Sequence, residues 1–314
     1  MDYVIEKEWD GRAVLDVIRR RLGISHALLK HLKFIQNGIT LNGSHVTVRA
    51  IVREGDTLTL ATEDTESPEK LTPTELALDI AYEDDDVVVP SKPADMPTHQ
   101  SFGHYGDTVA NALAYRYKDG DIPFVFRPVN RLDRNTSGLL LIARNRIAAG
   151  YLSEAMKEHK ISKKYLAVLK GRLPQKSGVI DTYMRRTAES VIVREVCADG
   201  EGGDRAITEY SVMFESDTHT LVKATPVTGR THQLRVHFAS LGALIEGDDM
   251  YGEVSEHIER HALHAARLSF SHPVGKGSID LFSPLPRDME ELIDRLFSKE
   301  DASATREKLW QKGD

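Results

Sequence analysis

The chain has 314 residues, of which 40% are hydrophobic and 28% charged, as in ordinary globular proteins. No stretch approaches the roughly 20 apolar residues that span a bilayer, and the single cysteine, Cys197, excludes an internal disulfide framework and a four-thiolate metal site. The net charge of -7 argues against a nucleic-acid-binding protein only if the charge is evenly distributed. We therefore expect a soluble, cytoplasmic protein without membrane contact.

Residues 11–53 are strongly basic, with eight Lys or Arg residues against one acid. Helical spacing of apolar residues from Val14 predicts a first helix that stops at Gly23. Ser25 is placed to cap a second helix, SHALLKHLKFIQNG, residues 25–38. Two short strands are predicted next, at residues 39–43 and 56–60. A small α-β unit with basic helices is typical of a nucleic-acid-binding module, although a solvated face on an ordinary small domain has the same pattern.

The order of these elements and the segment IQNGITLNG, residues 35–43, resemble the alpha-L RNA-binding domain. That domain occurs in a ribosomal small-subunit protein and in several RNA-modifying enzymes. The resemblance implies an RNA-binding module over residues 1–62. Its candidate RNA-contacting residues are Arg19, Arg20, Lys30 and Lys33. The polar, Pro-containing segment that follows, residues 63–75, has the composition of a linker.

Residues 76–298 contain many short β-type runs and few helices. A helix is predicted over residues 145–160, capped by Asn145, and another over residues 231–242. Strands are predicted at residues 87–93, 138–145, 164–171, 178–184, 190–196, 206–214 and 220–227. The pattern predicts an α+β domain, built on a mixed, largely antiparallel β-sheet with a few flanking helices. Residues 299–314 are expected to form a C-terminal tail.

The most informative segment is RPVNRLDRNTSGLLLIARN, residues 127–145, in which Arg131 and Arg134 flank Asp133. Loops that project from a rigid sheet commonly hold catalytic groups. Neighbouring arginines favour the ionised form of an aspartate and offer donors to phosphate oxygens. The segment alone indicates either a catalytic carboxylate or a local ion pair in a surface turn.

The segment RLDRNTSGLLLIAR resembles the signature of the RluA-type pseudouridine synthases, which modify ribosomal and transfer RNA. Three further segments resemble family motifs in the family's order: KKYLAVLKG at 163–171, TGRTHQLRVHFASLG at 228–242 and LHAARLSFSHPVG at 263–275. The resemblance implies that Asp133 is the catalytic carboxylate and Arg235 its partner. It implies that Tyr165 is the active-site tyrosine, which could stack on the base and help to remove the C5 proton. It also implies that Leu263 lines the uridine pocket. Candidate substrate-binding residues nearby are Arg131, Arg134 and Thr136.

The implied reaction breaks the N-glycosidic bond of a uridine, rotates the base, and joins the sugar to ring carbon C5. It needs no redox change and no external group, so no cofactor is implied. The carboxylate can act as a nucleophile or remove the ribose 2′ proton, and both routes stay open. RNA is the expected partner, and we expect a monomer without an obligate protein partner.

Two positions depart from the family pattern. Asn130 stands where the family usually has His, next to the Arg-Leu-Asp core. Asp95 replaces the usual Gly of the Lys-Pro-x-Gly segment, which puts the turn from Lys92 to Pro97 in doubt.

A separate feature is the spacing i, i+4, i+7 of His257, His261 and His264, which would align three imidazoles on one helix face. Such a face is either a zinc site or a polar helix stripe, and because no fourth ligand is evident we expect no metal. Two other functions are considered: a non-catalytic RNA-binding factor, and a hydrolase that uses Asp133 with these histidines.

Overall fold

The computed structural model describes residues 1–62, 71–120, 124–273 and 277–310. Its N-terminal module contains a four-stranded sheet with the order β1-β4-β2-β3. The strands are β1 Asp2–Val4, β2 Ile39–Leu41, β3 Ser44–His45 and β4 Thr57–Leu60. Its helices are α1, Val14–Asp16 with a π-helical continuation over Val17–Arg21, and α2, His26–Leu32, after a 3-10 turn at Lys7–Trp9.

A separate apolar core holds this module together, with side chains from both helices and the sheet. Val14, Val17 and Ile18 are fully buried in it, as their helical spacing predicts. The Ser25 hydroxyl accepts a hydrogen bond from the Leu28 amide at 3.2 Å, which confirms the predicted helix cap.

The predicted linker lies partly outside the described residues, since nothing is described for residues 63–70. Its last residues contact the second domain. The side-chain amide of Asn111 donates to the carbonyl of Thr72 at 2.8 Å, and the amide of Thr74 donates to the carbonyl of Asn111 at 3.2 Å. The segment 71–75 is therefore attached to the second domain.

The second domain contains a sheet of thirteen strands within the described residues. The strands are β5 Asp79–Glu83, β6 Val87–Lys92, β7 Arg127–Pro128, β8 Ser137–Leu139, β9 Ile142–Ala143, β10 Ser162–Lys170, β11 Ser177–Arg186, β12 Arg194–Cys197, β13 Asp204–Glu215, β14 His219–Pro226, β15 Leu244–Ile245, β16 Leu263–Ser271 and β17 Ser278–Phe282. The helices are α3 Val109–Arg116, α4 Arg146–Lys157, α5 Gln233–Ser240, α6 Arg287–Leu296 and α7 Lys299–Trp310.

The main path of this sheet has the order β12-β11-β13-β14-β10-β16-β8-β6-β9-β7. Its pairs are antiparallel except β8 with β16, which are parallel at Ser137 and Gly138. This arrangement confirms the predicted mixed, largely antiparallel α+β domain. No helix among the residues described is both long and apolar enough to cross a bilayer.

Helix α4 confirms its prediction, because the Asn145 side chain accepts from the Ala148 amide at 2.8 Å. The continuous strand predicted over residues 138–145 is wrong, since β8 and β9 are separated by Leu140 and Leu141. The carbonyl of Pro90 in β6 accepts from the Leu140 amide at 3.1 Å, but proline has no N–H to return. The ladder is therefore interrupted at this point.

Three other boundaries differ from prediction. The strand predicted over residues 190–196 begins only at Arg194, after a turn in which the Ser190 hydroxyl accepts from the Val193 amide. Helix α2 ends at Leu32, well before Gly38. Residues Lys299–Trp310 of the predicted tail form helix α7, and residues 311–314 lie outside the described residues. Ala302 of α7 is buried in the main core, so burial of apolar surface orders residues predicted as a tail.

The three histidines do not share a helix, so that prediction is wrong. Residues 261 and 262 precede β16 in extended backbone. The amide of Ala262 donates to Glu246 and its carbonyl accepts from Val168, so pairing with β10 takes the backbone groups that a helix would need.

Candidate active site

A cavity of about 320 Å³ lies where the β7–β8 loop, strand β10 and the start of α5 meet. Asp133, Tyr165, Arg235 and Leu263 all line it, so four sequence-predicted residues from separate parts of the chain come together. Arg131 and Thr136 line it as well, together with Val129, Asn130, Leu132, Met156, Lys163, Pro226, Thr228, Gly229, Arg230, Thr231, His232, Gln233 and Leu234.

Asp133 presents the partly exposed carboxylate of this cavity. Its side chain is 28% exposed, and Oδ2 lies 3.7 Å from Nη1 of Arg235. Its other oxygen, Oδ1, lies 3.9 Å from Nε2 of His232. The Thr136 amide donates to the Asp133 carbonyl at 3.1 Å, closing a tight turn that aims the carboxylate inward.

Arg235 is 4% exposed and is held by a second carboxylate. Its Nε and Nη2 donate to the two oxygens of Asp248 at 2.7 and 2.6 Å, a bidentate pair. Burial alone would lower the pKa of Arg235, but its hydrogen bonds and charge interaction with Asp248 hold that pKa above the usual value. The guanidinium is therefore fixed in plane, with Nη1 directed to Asp133 at a distance longer than a hydrogen bond.

His232 precedes α5 in a left-handed conformation, with φ 58° and ψ 19°. Few non-glycine residues adopt this region, and strained backbone of this kind is often found in active sites. Its Nδ1 lies 2.8 Å from the hydroxyl of Tyr251, whose ring also lies 5.0 Å from the guanidinium carbon of Arg235. Burial lowers the pKa of His232, so the imidazole is favoured in its neutral form.

Tyr165 and Leu263 form the apolar wall of the cavity. Tyr165 is 7% exposed on β10, and Leu263, at the start of β16, is 3% exposed. Burial, together with the negative charge of Asp133, raises the pKa of the phenol well above its usual value, so it stays protonated at neutral pH.

The family model for RNA pseudouridylate synthases matches residues 86–240, which contain Asp133, Tyr165 and Arg235. RNA pseudouridine synthase YjbO of Bacillus subtilis is 38% identical over 272 residues, covering 87% of this chain and 95% of the relative. This chain belongs to the RluA-type RNA pseudouridine synthases. The synthase is therefore an isomerase of uridine in RNA.

Two further comparisons agree with this assignment. Ribosomal large subunit pseudouridine synthase D of Zymomonas mobilis is 33% identical to the synthase, covering 91% of this chain and 92% of the relative. The solved structure of human RNA Pseudouridylate Synthase Domain Containing 1 superposes with a TM-score of 0.55 at 28% identity, covering 76% of this chain and 96% of that one.

Three other predicted residues lie in the β7–β8 loop with Asp133, and their surroundings differ: Arg131, Arg134 and Thr136. Arg131 is exposed at the cavity, whereas Arg134 does not line it. The Nε of Arg134 donates to Asp95 at 2.7 Å, and both side chains are more than half exposed. Thr136 is buried, and its hydroxyl lies 2.8 Å from Nε2 of His261. Thr136 is thus attached to the protein interior while it lines the cavity.

Both departures from the family pattern are accommodated. Asp95 has φ +60°, a left-handed conformation that favours glycine but that aspartate adopts more readily than most residues. The turn that was in doubt therefore forms. The Oδ1 atom of Asn130 accepts from the Leu141 amide at 2.8 Å, which attaches the start of the catalytic loop to the sheet.

Lys92 supports the β7–β8 loop that holds Asp133, and the sequence did not predict this role. It is 1% exposed, and its Nζ donates to the carbonyls of Pro93, Met96 and Arg134, each at 2.8 Å. Burial lowers the pKa of Lys92 to about 7. The three bonds join the Asp95 turn to the residue that follows Asp133.

Asp248, His232 and Lys163 are further residues that sequence reasoning missed. His232 and Lys163 lie within the family-like segments TGRTHQLRVHFASLG and KKYLAVLKG, and Asp248 lies in the segment GDDMYG, residues 247–252. Within GDDMYG the sequence does not distinguish Asp248, 1% exposed beside Arg235, from its neighbour Asp249, whose side chain is 70% exposed. That distinction depends on the turn after β15, which only the fold defines.

The candidate RNA-contacting residues of the N-terminal module do not line the cavity. Arg20, Lys30 and Lys33 are exposed, and Arg20 lies 3.5 Å from Asp16. Arg19 is half-buried and donates to the carbonyl of Ile24, so it stabilises the turn before α2.

The histidines that suggested zinc have other partners. His261 contacts Thr136, His264 Nδ1 lies 2.9 Å from the Ser137 hydroxyl, and His257 Nδ1 lies 3.0 Å from Nη1 of Arg295. Within the described residues, the one group with metal-ligand spacing is Asp84, Asp86 and His272, in which His272 Nε2 already lies 2.8 Å from Asp84 Oδ2.

Proposed function

We propose that the synthase isomerises uridine in ribosomal or transfer RNA and that Asp133 is its catalytic carboxylate. The observation that carries this proposal is the partly exposed Asp133 carboxylate facing the fixed guanidinium of Arg235 inside the cavity. A carboxylate that faces a fixed cation inside a cavity is suited to attack the sugar carbon or to remove the 2′ proton. Because Asp248 occupies the other donors of Arg235, the guanidinium keeps its orientation while the substrate enters.

Tyr165 is proposed to stack on the uracil ring and to define the depth of the cavity. Its buried phenol is held protonated, which disfavours a role as the first acceptor of the C5 proton. Leu263 packs against the same space and limits the pocket to a planar pyrimidine. Removal of the C5 proton is then assigned to another group that lines the cavity, and Asp133 is the candidate.

The target uridine must leave its stack to reach Asp133, at a cost of a few kilocalories per mole. We propose that phosphate contacts offset this cost, from exposed Arg131 at the cavity and from Lys30 and Lys33 on the N-terminal module. Ribosomal RNA is favoured as substrate because relatives that match most of the chain are named for the large ribosomal subunit. We also propose that the synthase is a cytoplasmic monomer.

The test uses unmodified ribosomal and transfer RNA transcripts that carry tritium at uridine C5, with chelator present. Isomerisation releases tritium without free uracil. Asp133→Asn should reduce that release at least a thousandfold while leaving the RNA dissociation constant within about twofold, because the side chain keeps its size and loses only its charge.

Two outcomes would contradict this assignment. Comparable tritium release by Asp133→Asn would show that another group performs the chemistry. Tight RNA binding without release by the wild-type protein, or release of free uracil, would favour the binding factor or the hydrolase instead.

A further inference from the structure

Lys163 is a buried lysine that has no carboxylate partner among the described residues. It lies on β10, two residues before Tyr165, and is 7% exposed. It lines the same cavity as Asp133. Its one hydrogen-bond contact among the described residues joins Nζ to the thioether sulfur of Met156 at 3.6 Å, and sulfur is a weak acceptor.

Neighbouring charges do not stabilise this buried ammonium either. Burial lowers the pKa of Lys163, and no neighbouring carboxylate contributes to its shift. The chain has other buried cations, but they are satisfied: Arg235 by Asp248, and Lys92 by three carbonyls. A buried charge without a partner is costly, so the protein gains nothing in stability from a lysine at this position.

The missing anion can come from the substrate. RNA carries negative charge only on its phosphodiester groups, whereas the uracil ring is neutral. Exposed Arg131 and Arg230 line the same cavity, so together with Lys163 and Arg235 its lining carries four cations. Gly229 faces the ammonium: a Cβ atom there would stand 4.0 Å from Nζ of Lys163, so the connection before α5 leaves space beside the charge.

We propose that Lys163 binds a phosphate adjacent to the target uridine, which forms a phosphate subsite inside the cavity. This inference rests on the proposed action on RNA and extends it. The contact places one charged anchor on the backbone of the flipped nucleotide, while Tyr165 contacts its base. A buried lysine is then functional because the substrate completes its site.

The test compares Lys163→Met, Lys163→Arg and the wild-type protein. Methionine keeps the length of the side chain and removes the charge, so K163M should have an equal or higher melting temperature. The dissociation constant of K163M for a transcript modified by the wild-type enzyme, measured in the Asp133→Asn background, should rise about tenfold or more. The slope of log affinity against log salt should become shallower by about 0.7, the amount for one bound phosphate on a single strand.

Lys163→Arg supplies the decisive comparison, because arginine keeps a positive charge for the phosphate but cannot lose its proton. K163R should recover most of the affinity and tritium release that are missing in K163M. If K163R releases tritium as slowly as K163M while both bind RNA like wild type, Lys163 is a proton acceptor and the phosphate subsite is wrong.

Other outcomes are equally clear. A large fall in the melting temperature of K163M, with an unchanged salt slope, would make Lys163 a structural residue and overturn the inference. If K163M releases tritium at the wild-type rate and binds RNA as tightly as the wild-type protein, the phosphate subsite is wrong and the proposed function is unaffected. The proposed function fails separately, if the wild-type protein releases no tritium.

Discussion

Arg235 contacts the carboxylates of Asp248 and Asp133 in different ways. Asp248 receives two hydrogen bonds shorter than 2.8 Å, whereas Asp133 lies 3.7 Å from the remaining nitrogen. The side chains of Arg235 and Asp248 are 5% and 1% exposed, so their charges have little contact with water. The strong pair therefore serves orientation, and the weaker contact leaves the Asp133 carboxylate, the proposed catalytic group, available to the substrate.

We predict that Asp248→Asn severely impairs the synthase although residue 248 does not line the cavity. Removing one partner of a buried ion pair costs about 3–5 kcal/mol of unfolding free energy. The freed guanidinium should then turn fully to Asp133, lowering kcat at least tenfold. Denaturant unfolding and tritium release measure the two effects.

The matched control is Asp181→Asn, which breaks the bidentate pair of Asp181 with Arg205 on the surface, at 2.9 and 2.6 Å. That pair has side-chain exposures of 40% and 57%. The control should leave unfolding and kcat unchanged, because surface ion pairs contribute little. Equal effects of both substitutions would refute the role given to Asp248.

The residues of the candidate site could be predicted from the sequence where they belong to a recognisable motif. They could be predicted less well where only their burial in the fold distinguishes them. Asp133, Tyr165 and Arg235 were found because each lies in a segment with a family pattern. Lys163 lies in such a segment too, but a lysine among strand residues is ordinary until its burial and lack of an anion are known. Lys92 was missed because its role depends on carbonyls brought near it by the fold.

At the scale of elements, helices α2 and α4 join the two domains. Gly150 of α4 faces Ser25, the cap of α2, and Ile147 packs against the core of the N-terminal module. The Arg146 guanidinium also contacts the His31 ring. The N-terminal module is therefore docked on the second domain through the α2–α4 helix pair.

We predict that Gly150→Ala weakens this contact. A Cβ atom at position 150 would lie 2.6 Å from the Ser25 hydroxyl oxygen, so either the helices move apart or that hydroxyl loses its bond to the Leu28 amide. Alanine favours α4 by about 1 kcal/mol, but overpacking costs about 1–3 kcal/mol, and we expect a net loss of unfolding free energy.

The double variant Gly150→Ala with Ser25→Gly should recover stability, since glycine at the cap costs only a few tenths of a kcal/mol. Denaturant unfolding of the two single variants and the double variant gives the coupling. A net gain of about 1 kcal/mol in Gly150→Ala alone would show that the helices do not meet closely.

Local patterns predicted the helices and strands well, and tertiary pairing accounts for the errors. Helix α4 has both a cap and an apolar stripe, so it could be predicted from its own sequence. The histidine spacing indicated a helix, but pairing of β16 with β10 decided the backbone there. The strand break after Leu139 depends on Pro90, about fifty residues earlier in the chain.

At the scale of the whole molecule, three histidines are buried without charge. Burial lowers the pKa of His237 and His264 to about 4 and that of His261 to about 3. Each is neutral in the folded protein and binds a proton more readily when unfolded. Their contribution to stability is present above pH 6.5 and is lost as the pH falls through 4.

We predict acid sensitivity from this group. A histidine whose pKa in the folded protein is about 4 lowers the unfolding free energy at pH 5 by about 2 kcal/mol relative to pH 7. In His264→Asn the loss of unfolding free energy between pH 7 and pH 5 should be about 2 kcal/mol smaller than in the wild-type protein. His45→Asn, at an exposed position, serves as control, and an unchanged pH dependence in His264→Asn would contradict the assignment.

The uneven charge of the chain leads to a further prediction. Lys30→Gln with Lys33→Gln should weaken RNA binding and reduce the salt slope by about 0.7–0.9 for each phosphate that is no longer neutralised. The value of kcat at saturating RNA should not change, because neither residue lines the cavity. Lys118→Gln with Lys299→Gln removes the same charge from exposed positions elsewhere, and equal weakening there would show that net charge alone governs binding.

Gly138, at the end of the catalytic loop, limits how the synthase could be re-engineered. Its φ is +109°, and any Cβ atom would stand 2.3 Å from the backbone oxygen of Ala265, where β8 runs parallel to β16. A library aimed at a new target nucleotide should therefore vary Asn130 and Arg131 and keep position 138 as glycine. Every other side chain there would push the catalytic turn off the sheet before substrate preference could change.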